Sequence, residues 1–200
     1  YTFTENGEFT FEYQDAAGNI NTTTAKVDWI NKNLPTPTIS YNIDRLTNQS
    51  VKATITFDKE NVVITNNNGL NTYTFEENGS FIFEYRDEAG NIGTAKATVC
   101  WIDKVAPVAT ITFDKNELTN EDVKATITFN KENVVVINNQ GLNAYIFKEN
   151  GEFTFEYRDE AGNTGTAIAL VDWIDKVSPT ATITYDKNEL TNEDVTATIT

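Results

Sequence analysis

The chain has no histidine, no methionine and a single cysteine, Cys100, among its 200 residues. The lack of histidine removes the commonest general base and the commonest zinc ligand from any candidate active site. One cysteine cannot form a disulfide within the chain. None of the usual hydrolase, metalloprotease or phosphate-binding motifs is present either, so we expect no catalytic residues, no cofactor and no enzymatic activity.

Positive charge is also scarce, because 15 lysines and arginines face 30 aspartates and glutamates, for a net charge of −15. Such a chain is repelled by nucleic-acid phosphates and by anionic lipid surfaces. No apolar run is long enough to cross a bilayer. We therefore expect neither nucleic-acid binding nor membrane insertion in this segment, and we interpret the recurring acids as solvated charge rather than as a glycosidase-type carboxylate pair.

What the chain does have is a period of 72 residues, which is marked by Trp29, Trp101 and Trp173. The phrases FTFEYQDAAGN, FIFEYRDEAGN and FTFEYRDEAGN recur at the same spacing. The period predicts a tandem array. Its predicted divisions are two partial repeats at residues 1–32 and 177–200 and two complete repeats at residues 33–104 and 105–176. Tyr1 aligns with Tyr73 and Thr200 with Thr128, so we expect the chain to be part of a longer array.

Within one repeat, Thr, Val, Ile, Phe and Tyr alternate with polar residues in short runs bounded by Asn, Gly, Asp and Pro. This is the pattern of half-buried β-strands and predicts an all-β fold. Six strands are expected in the first complete repeat, near residues 38–42, 51–57, 62–65, 72–76, 81–87 and 93–102. So many short strands in so small a unit favour a β-sandwich.

The last two of these strands predict a hairpin in which large residues face small ones. A three-residue loop at residues 88–90, with Gly90 left-handed, sets the register. The resulting pairs are Tyr85 with Gly93, Phe83 with Ala95 and Phe81 with Ala97. In the next repeat, where Gly162 takes the place of Gly90, they are Tyr157 with Gly165, Phe155 with Ala167 and Phe153 with Ala169.

Two neighbouring features follow from that register. Asp87 and Asn91 are placed to cap the turn by bonding loop amides, which we favour over calcium binding because a calcium loop collects more carboxylates. A tight turn at Asn78 and Gly79 would put the aromatic residues before it and after it on opposite faces. We therefore predict that the chain crosses between two sheets at this point.

The phrases ENGSFIFEY, the AGN hairpin, the alanine-rich last strand, WIDKVAP and LTNEDVKATITF together resemble the bacterial immunoglobulin-like tandem repeats of Gram-positive surface proteins and adhesins. The resemblance implies immunoglobulin-like β-sandwich units in an extended rod, at the cell surface or outside the cell. Phe81 and Phe83 stand where antibody domains carry a tyrosine corner and a disulfide cysteine, so apolar packing must replace both.

The junctions between repeats are short, with about four residues between Ile102 and Pro107, and a short linker with a proline limits bending. Junction aspartates are candidate calcium ligands, although solvated carboxylates paired with Lys104 or Lys176 are favoured. These candidates are Asp28, Asp103, Asp172 and Asp175. Cys100 alternates outward and is interpreted as a surface substitution or a dimerising thiol.

The same alternation places Lys52 and Lys124 outward, which disfavours an intramolecular isopeptide bond. The predicted function is a non-catalytic stalk of a secreted or wall-attached protein, which projects a separate head. The partners of each repeat would be its neighbours in the array. Two alternatives remain open: a multivalent adhesive module that binds host glycan or matrix protein, and a fibre subunit that assembles by strand complementation.

Overall fold

The computed structural model describes all residues 1–200 and consists of short antiparallel strands without an α-helix. The chain divides into two compact units, Tyr1–Lys104 and Val105–Thr200, which are called the first and the second unit. No helix in it is long and apolar enough to span a membrane. The predicted all-β class is confirmed.

The first unit contains a hairpin followed by six strands. The hairpin is β1 (Gly7–Gln14) and β2 (Ile20–Val27), and the strands are β3 (Pro37–Tyr41), β4 (Val51–Phe57), β5 (Val63–Ile64), β6 (Thr72–Phe75), β7 (Gly79–Arg86) and β8 (Ile92–Val99). A 3-10 turn at Asn67–Gly69 connects β5 to β6. The six strands form two three-stranded sheets, in the orders β3-β4-β6 and β5-β7-β8. All six were expected, although the last ends at Val99 rather than Ile102.

The second unit has the same two three-stranded sheets, but its two-stranded pair follows them in the chain. Its strands are β9 (Ala109–Phe113), β10 (Val123–Phe129), β11 (Val135–Val136), β12 (Ala144–Phe147), β13 (Gly151–Arg158), β14 (Thr164–Val171), β15 (Ile183–Tyr185) and β16 (Ala197–Ile199). The sheets run in the orders β9-β10-β12 and β11-β13-β14, and β15 pairs with β16 alone. A second 3-10 turn lies at Asn139–Gly141.

In each unit, the two three-stranded sheets bury one shared core. Val51 and Ile55 reach it from β4, and Phe83 and Tyr85 reach it from β7. Side chains on a strand alternate between its two faces, so the intervening residues, such as Lys52, are exposed. The sequence pattern of apolar and polar residues therefore places the core correctly, and Val123, Ile127, Phe155 and Tyr157 repeat it in the second unit.

The predicted hairpin register and the predicted crossover are both confirmed. Phe81 pairs with Ala97, and Tyr85 pairs with Gly93; the matching pairs of the second unit lie 72 residues further on. Gly90 and Gly162 are left-handed, with φ of 91° and 98°. Since β6 and β7 belong to different sheets, residues 76–78 carry the chain from one sheet to the other.

The hairpin β1–β2 and the pair β15–β16 each form a two-stranded sheet. Residues that the complete two-sheet parts bury are exposed there. Phe11 and Tyr13 are 40% and 51% exposed, whereas their counterparts Phe83 and Tyr85 are 0% and 3% exposed.

Candidate functional site

The segment through which the chain leaves each two-sheet part is bonded on both sides. It is called the exit segment and comprises residues 101–103, with residues 173–175 as its counterpart. Thr47 donates its N–H to the carbonyl of Trp101 (3.0 Å) and accepts the N–H of Asp103 (2.8 Å). These two bonds form an isolated parallel bridge between Thr47 and Ile102. The bridge explains why β8 ends at Val99: beyond that residue the chain pairs with a loop next to the other sheet.

The opposite edge of the exit segment is held by one asparagine side chain. Asn78 donates Nδ2–H to the carbonyl of Ile102 (2.8 Å), and its Oδ1 accepts the N–H of Ile102 (2.8 Å). Asn150 holds Ile174 in the same way, at 2.9 and 2.7 Å. We call this pair of bonds the amide pair; together with the Thr47 bridge it forms the exit latch. The side chain thus takes the place of a neighbouring strand.

The tryptophans pack beside the latch. Trp101 is half-buried, donates its indole N–H to the carbonyl of Ile43 (3.0 Å) and meets the Tyr41 ring edge-on at 5.1 Å. Trp173 makes the matching bond to Lys115 (3.1 Å). Trp29 is 72% exposed, since the β1–β2 hairpin offers it no such partners. An indole packed in this way therefore occurs at Trp101 and Trp173 but not at Trp29. Both lie just beyond β8 and β14, whereas the sequence placed Trp101 within a strand that ends at Ile102.

The segment through which the chain enters the two-sheet part is also held by side chains. It is called the entry segment and comprises residues 31–36 in the first unit and 105–108 in the second. Lys59 donates to the carbonyl of Asn33 (2.5 Å), and the Tyr85 hydroxyl donates to the carbonyl of Pro35 (3.2 Å). Asn91 Nδ2–H donates to the carbonyl of Asn31 (3.0 Å). In the second unit, Lys131 donates to the carbonyl of Val105.

The predicted turn cap of the hairpin is confirmed and lies next to these lysines. Asp87 Oδ1 accepts the N–H of Asn91 (2.8 Å), and its Oδ2 accepts from the Asn91 side chain (2.8 Å). The hydrogen bond from the Asn91 side chain is the main reason why the pKa of Asp87 lies below its ordinary value.

The corresponding aspartate of the second unit is buried and charge-paired. Asp159 is 6% exposed, and Lys131 Nζ lies 3.1 Å from its Oδ2. Burial pulls the pKa of Asp159 upward, but the hydrogen bonds from Asn163 and the charge of Lys131 outweigh it, so the pKa falls below its ordinary value. One acidic side chain thereby connects the hairpin turn to the lysine that holds the entry segment.

The remaining candidate residues lie at the surface or near it. Asp28, Asp172 and Asp175 are exposed and Asp103 is half-buried; Asp175 Oδ1 accepts the N–H of Val177 (2.9 Å). Nowhere do three or more histidine, cysteine or acidic side chains converge in a way that could hold a metal ion. Calcium binding stays a prediction. Cys100, Lys52 and Lys124 are exposed, as the alternation predicted.

The junction lysines form ion pairs with other acids than those expected. Lys104 Nζ lies 3.6 Å from Glu76, and Lys176 Nζ lies 2.6 Å from Asp122. Both lysines therefore reach back to their own unit's loops rather than to the adjacent aspartates, Asp103 and Asp175.

The latch and the entry-segment lysines were not singled out from the sequence. The signal that could have identified them is their recurrence: Thr47 and Thr119, Asn78 and Asn150, and Lys59 and Lys131 each differ by one period of 72 residues. The exposed position of Asn78 conceals its role, because a surface asparagine before a glycine is ordinary turn chemistry.

No family model and no curated protein sequence matches this chain. Among solved structures, it is similar to a bacterial ice-binding adhesin of 1.5 MDa studied for its retention on the host cell surface, with 17% identity. The match covers 82% of this chain and 72% of the other, with a TM-score of 0.39. At these values the similarity does not establish a shared fold or function.

Proposed function

We propose that the chain is a non-catalytic structural spacer built of immunoglobulin-like β-sandwich repeats of the bacterial surface-protein type. The array would form a semi-rigid stalk of a secreted or wall-attached protein and hold a separate functional head away from the cell. Two features support a role without chemistry: the lack of histidine, and the scarcity of cysteine.

The observation that carries the proposal is that side chains and loops hold both segments that flank a junction. Asp103 is bonded to Thr47, and Val105 is bonded to Lys131. Only Lys104 stands between these two held residues. A connection with so few free backbone torsions loses most of its freedom to bend, unlike a flexible linker of several residues.

The experiment is small-angle X-ray scattering on chains with increasing numbers of repeats. We expect the maximum dimension to grow by a constant increment with each added repeat. A matched variant with a flexible Gly-Ser insertion after Lys104 keeps both latches and should broaden the distance distribution. A compact globule, or an insertion variant with an unchanged distribution, would contradict the spacer.

A second candidate, the multivalent adhesive module, is favoured by apolar residues on the outer faces of the second unit. Ile146, Ile168 and Leu170 are 57%, 62% and 57% exposed. Their counterparts in the first unit, Thr74, Lys96 and Thr98, are polar. Ile146 also borders a hollow of about 410 Å³ at the crossover. Ile168 and Leu170 lie two residues apart on one face of β14, and neighbouring exposed apolar side chains of this kind can mark a binding surface.

An array of glycans and matrix proteins, probed with chains of two and of six repeats, separates these candidates. An adhesive module gains signal with repeat number, and it loses that signal when Ile146→Thr and Ile168→Lys restore the first unit's residues. A spacer gives no signal at either length.

The third candidate, strand complementation, is favoured by the exposed aromatic face of β1–β2 that carries Phe11 and Tyr13. A segment like β3–β4 from a second copy would cover that face, as β3 and β4 cover the equivalent face of β7–β8 within one chain. Sedimentation over a range of concentrations tests this: association that Phe11→Ser abolishes supports it, and a monomer at all concentrations contradicts it.

A further inference from the structure

Each amide pair is built on an asparagine that is followed by glycine. The three dipeptides are Asn6 with Gly7, Asn78 with Gly79 and Asn150 with Gly151. Glycine has no Cβ, so its backbone nitrogen is sterically free to attack the side-chain carbonyl carbon of the preceding asparagine. An unprotected Asn-Gly pair is therefore prone to lose its side-chain amide.

The exit latch binds the side-chain amide of Asn78, which is the group that deamidation would remove. The amide pair fixes both Nδ2 and Oδ1 of Asn78 on Ile102, each at 2.8 Å. To meet the nitrogen of Gly79, Cγ of Asn78 must turn toward its own main chain, and both bonds to Ile102 must break first. The flanking bridge between Thr47 and residues 101–103 keeps Ile102 in place and so opposes that opening.

We propose that Asn78 and Asn150 are deamidation sites, protected while the exit latch is closed, and that their reaction opens the latch irreversibly. The nitrogen of Gly79 bonds to Cγ of Asn78 and loses its proton, the bond from Cγ to Nδ2 breaks, and ammonia leaves. Water then opens the cyclic imide at either carbonyl, which yields aspartate or isoaspartate. The balance is one water consumed and one ammonia released, with no oxidant or reductant.

The product cannot close the latch. A carboxylate at position 78 has an oxygen where Nδ2 donated, and that oxygen faces the carbonyl of Ile102, so two acceptors meet. An acceptor left without a donor loses its bond and gains repulsion. Isoaspartate adds a backbone atom directly before Gly79, the first residue of β7. Both products break the amide pair, because neither can donate a hydrogen bond to the carbonyl of Ile102 from the former amide nitrogen.

Two other Asn-Gly pairs in the same chain are held by fewer bonds and serve as internal comparisons. Asn6 has the amide pair with Ile30, at 3.0 and 2.7 Å, but no backbone bridge flanks it. A fourth dipeptide, Asn68 with Gly69, lies in the exposed 3-10 turn, where only the N–H of Gly69 is bonded, to Asn66 (2.8 Å). The reaction depends on these local bonds and not on the array, so it occurs whether or not the chain is a spacer.

The test is peptide mapping by mass spectrometry of the intact chain during incubation in mildly alkaline buffer, with and without denaturant. Deamidation adds one mass unit to the peptide concerned. We expect all four sites to react at similar rates in denaturant. In the native chain, Asn78 and Asn150 should react at least about tenfold more slowly than in denaturant, because both hydrogen bonds must open first. Native rates at Asn78 and Asn150 equal to the denatured rates would overturn the proposal.

The consequence is tested by hydrogen exchange at the N–H groups of Ile102 and Asp103. The Asn78→Asp chain should lose roughly tenfold of its protection there. The matched control is Gly79→Ala, whose added Cβ hinders the attack, leaves the amide pair intact and meets no atom within 4 Å. It should keep native protection and gain mass at Asn78 more slowly than wild type under the same denaturing conditions.

If Asn78→Asp does not fold, the deamidated fraction of aged wild-type chain, separated by charge, provides the same measurement on protein that folded before it reacted. Unchanged protection of Ile102 and Asp103 in both the variant and the aged fraction would show that the amide pair does not hold the exit segment, and would overturn the proposal.

Discussion

At the scale of single residues, Tyr85 and Gly93 fit each other across β7 and β8. A Cβ on Gly93 would lie 2.5 Å from the Cζ and the hydroxyl oxygen of Tyr85. The ring cannot swing away freely, because its hydroxyl donates to the carbonyl of Pro35 in the entry segment. Gly93 is therefore required for the space it leaves to the ring. Its backbone φ is not in the left-handed region.

Replacing this glycine should be costly, whereas replacing a glycine without such a neighbour should not. We expect Gly93→Ala to lower the free energy of unfolding by about 1–3 kcal/mol, as overpacking does in other cores. Gly79→Ala, at the start of β7, meets no atom within 4 Å and should change it by less than about 0.5 kcal/mol. Urea unfolding of both variants provides the comparison, and equal effects would contradict the steric argument.

At the scale of strands and turns, local chemistry specified much of the arrangement. The register of β7 and β8 follows from the period-two alternation and the left-handed Gly90, so the pairs of aromatic with small residues were predictable from the sequence. The crossover followed from the same alternation, because only a change of sheet buries both aromatic sets. Features of the fold that are set by residues close together in the sequence could thus be predicted.

The exit latch and the lysine that holds the entry segment could not be predicted in this way. Asn78 bonds a residue 24 positions away, and Lys59 bonds one 26 positions away. A long polar side chain near the surface can reach several backbone groups, and which of them it meets is decided by how the two sheets stack. The early end of β8 has the same origin, since residues 101–103 leave their own sheet to pair with Thr47.

The difference between the two-sheet part of the first unit and its β1–β2 hairpin predicts a contrast between two phenylalanines. Phe83 is fully buried between the sheets, so Phe83→Ala should cost about 3–5 kcal/mol. Phe11 occupies the same position in β1–β2 but is 40% exposed, and Phe11→Ala should cost less than about 1 kcal/mol. Calorimetry should show a clearly lower melting midpoint for Phe83→Ala and almost no shift of the midpoint for Phe11→Ala. Similar shifts would mean that the β1–β2 hairpin is covered in solution.

At the scale of the whole molecule, two electrostatic effects oppose each other on acidification. The net charge of −15 disappears near the sequence pI of about 4.3, which relieves repulsion among the carboxylates. Asp58, Asp87 and Asp159 act in the other direction. Hydrogen bonds from Thr36 lower the pKa of Asp58, those from Asn91 lower the pKa of Asp87, and Asn163 with Lys131 lowers the pKa of Asp159 against the effect of burial.

A carboxyl whose pKa is lower in the folded state stabilises the fold above its unfolded pKa, which is near 3.8 for these residues. This stabilisation is lost as the pH falls through the still lower folded pKa. We therefore expect the melting temperature to stay constant or rise from neutral pH to about the pI and to fall below about pH 3.8.

The Asp159→Asn variant tests this expectation. It should have a lower melting temperature than wild type at neutral pH, and its melting temperature should fall less on further acidification, because its side chain no longer takes up a proton. Asp172→Asn removes the same charge from an exposed position and should follow the wild-type profile. If the Asp159→Asn and Asp172→Asn profiles coincide, the bonds around Asp159 contribute no stability and only the net charge governs the acid response.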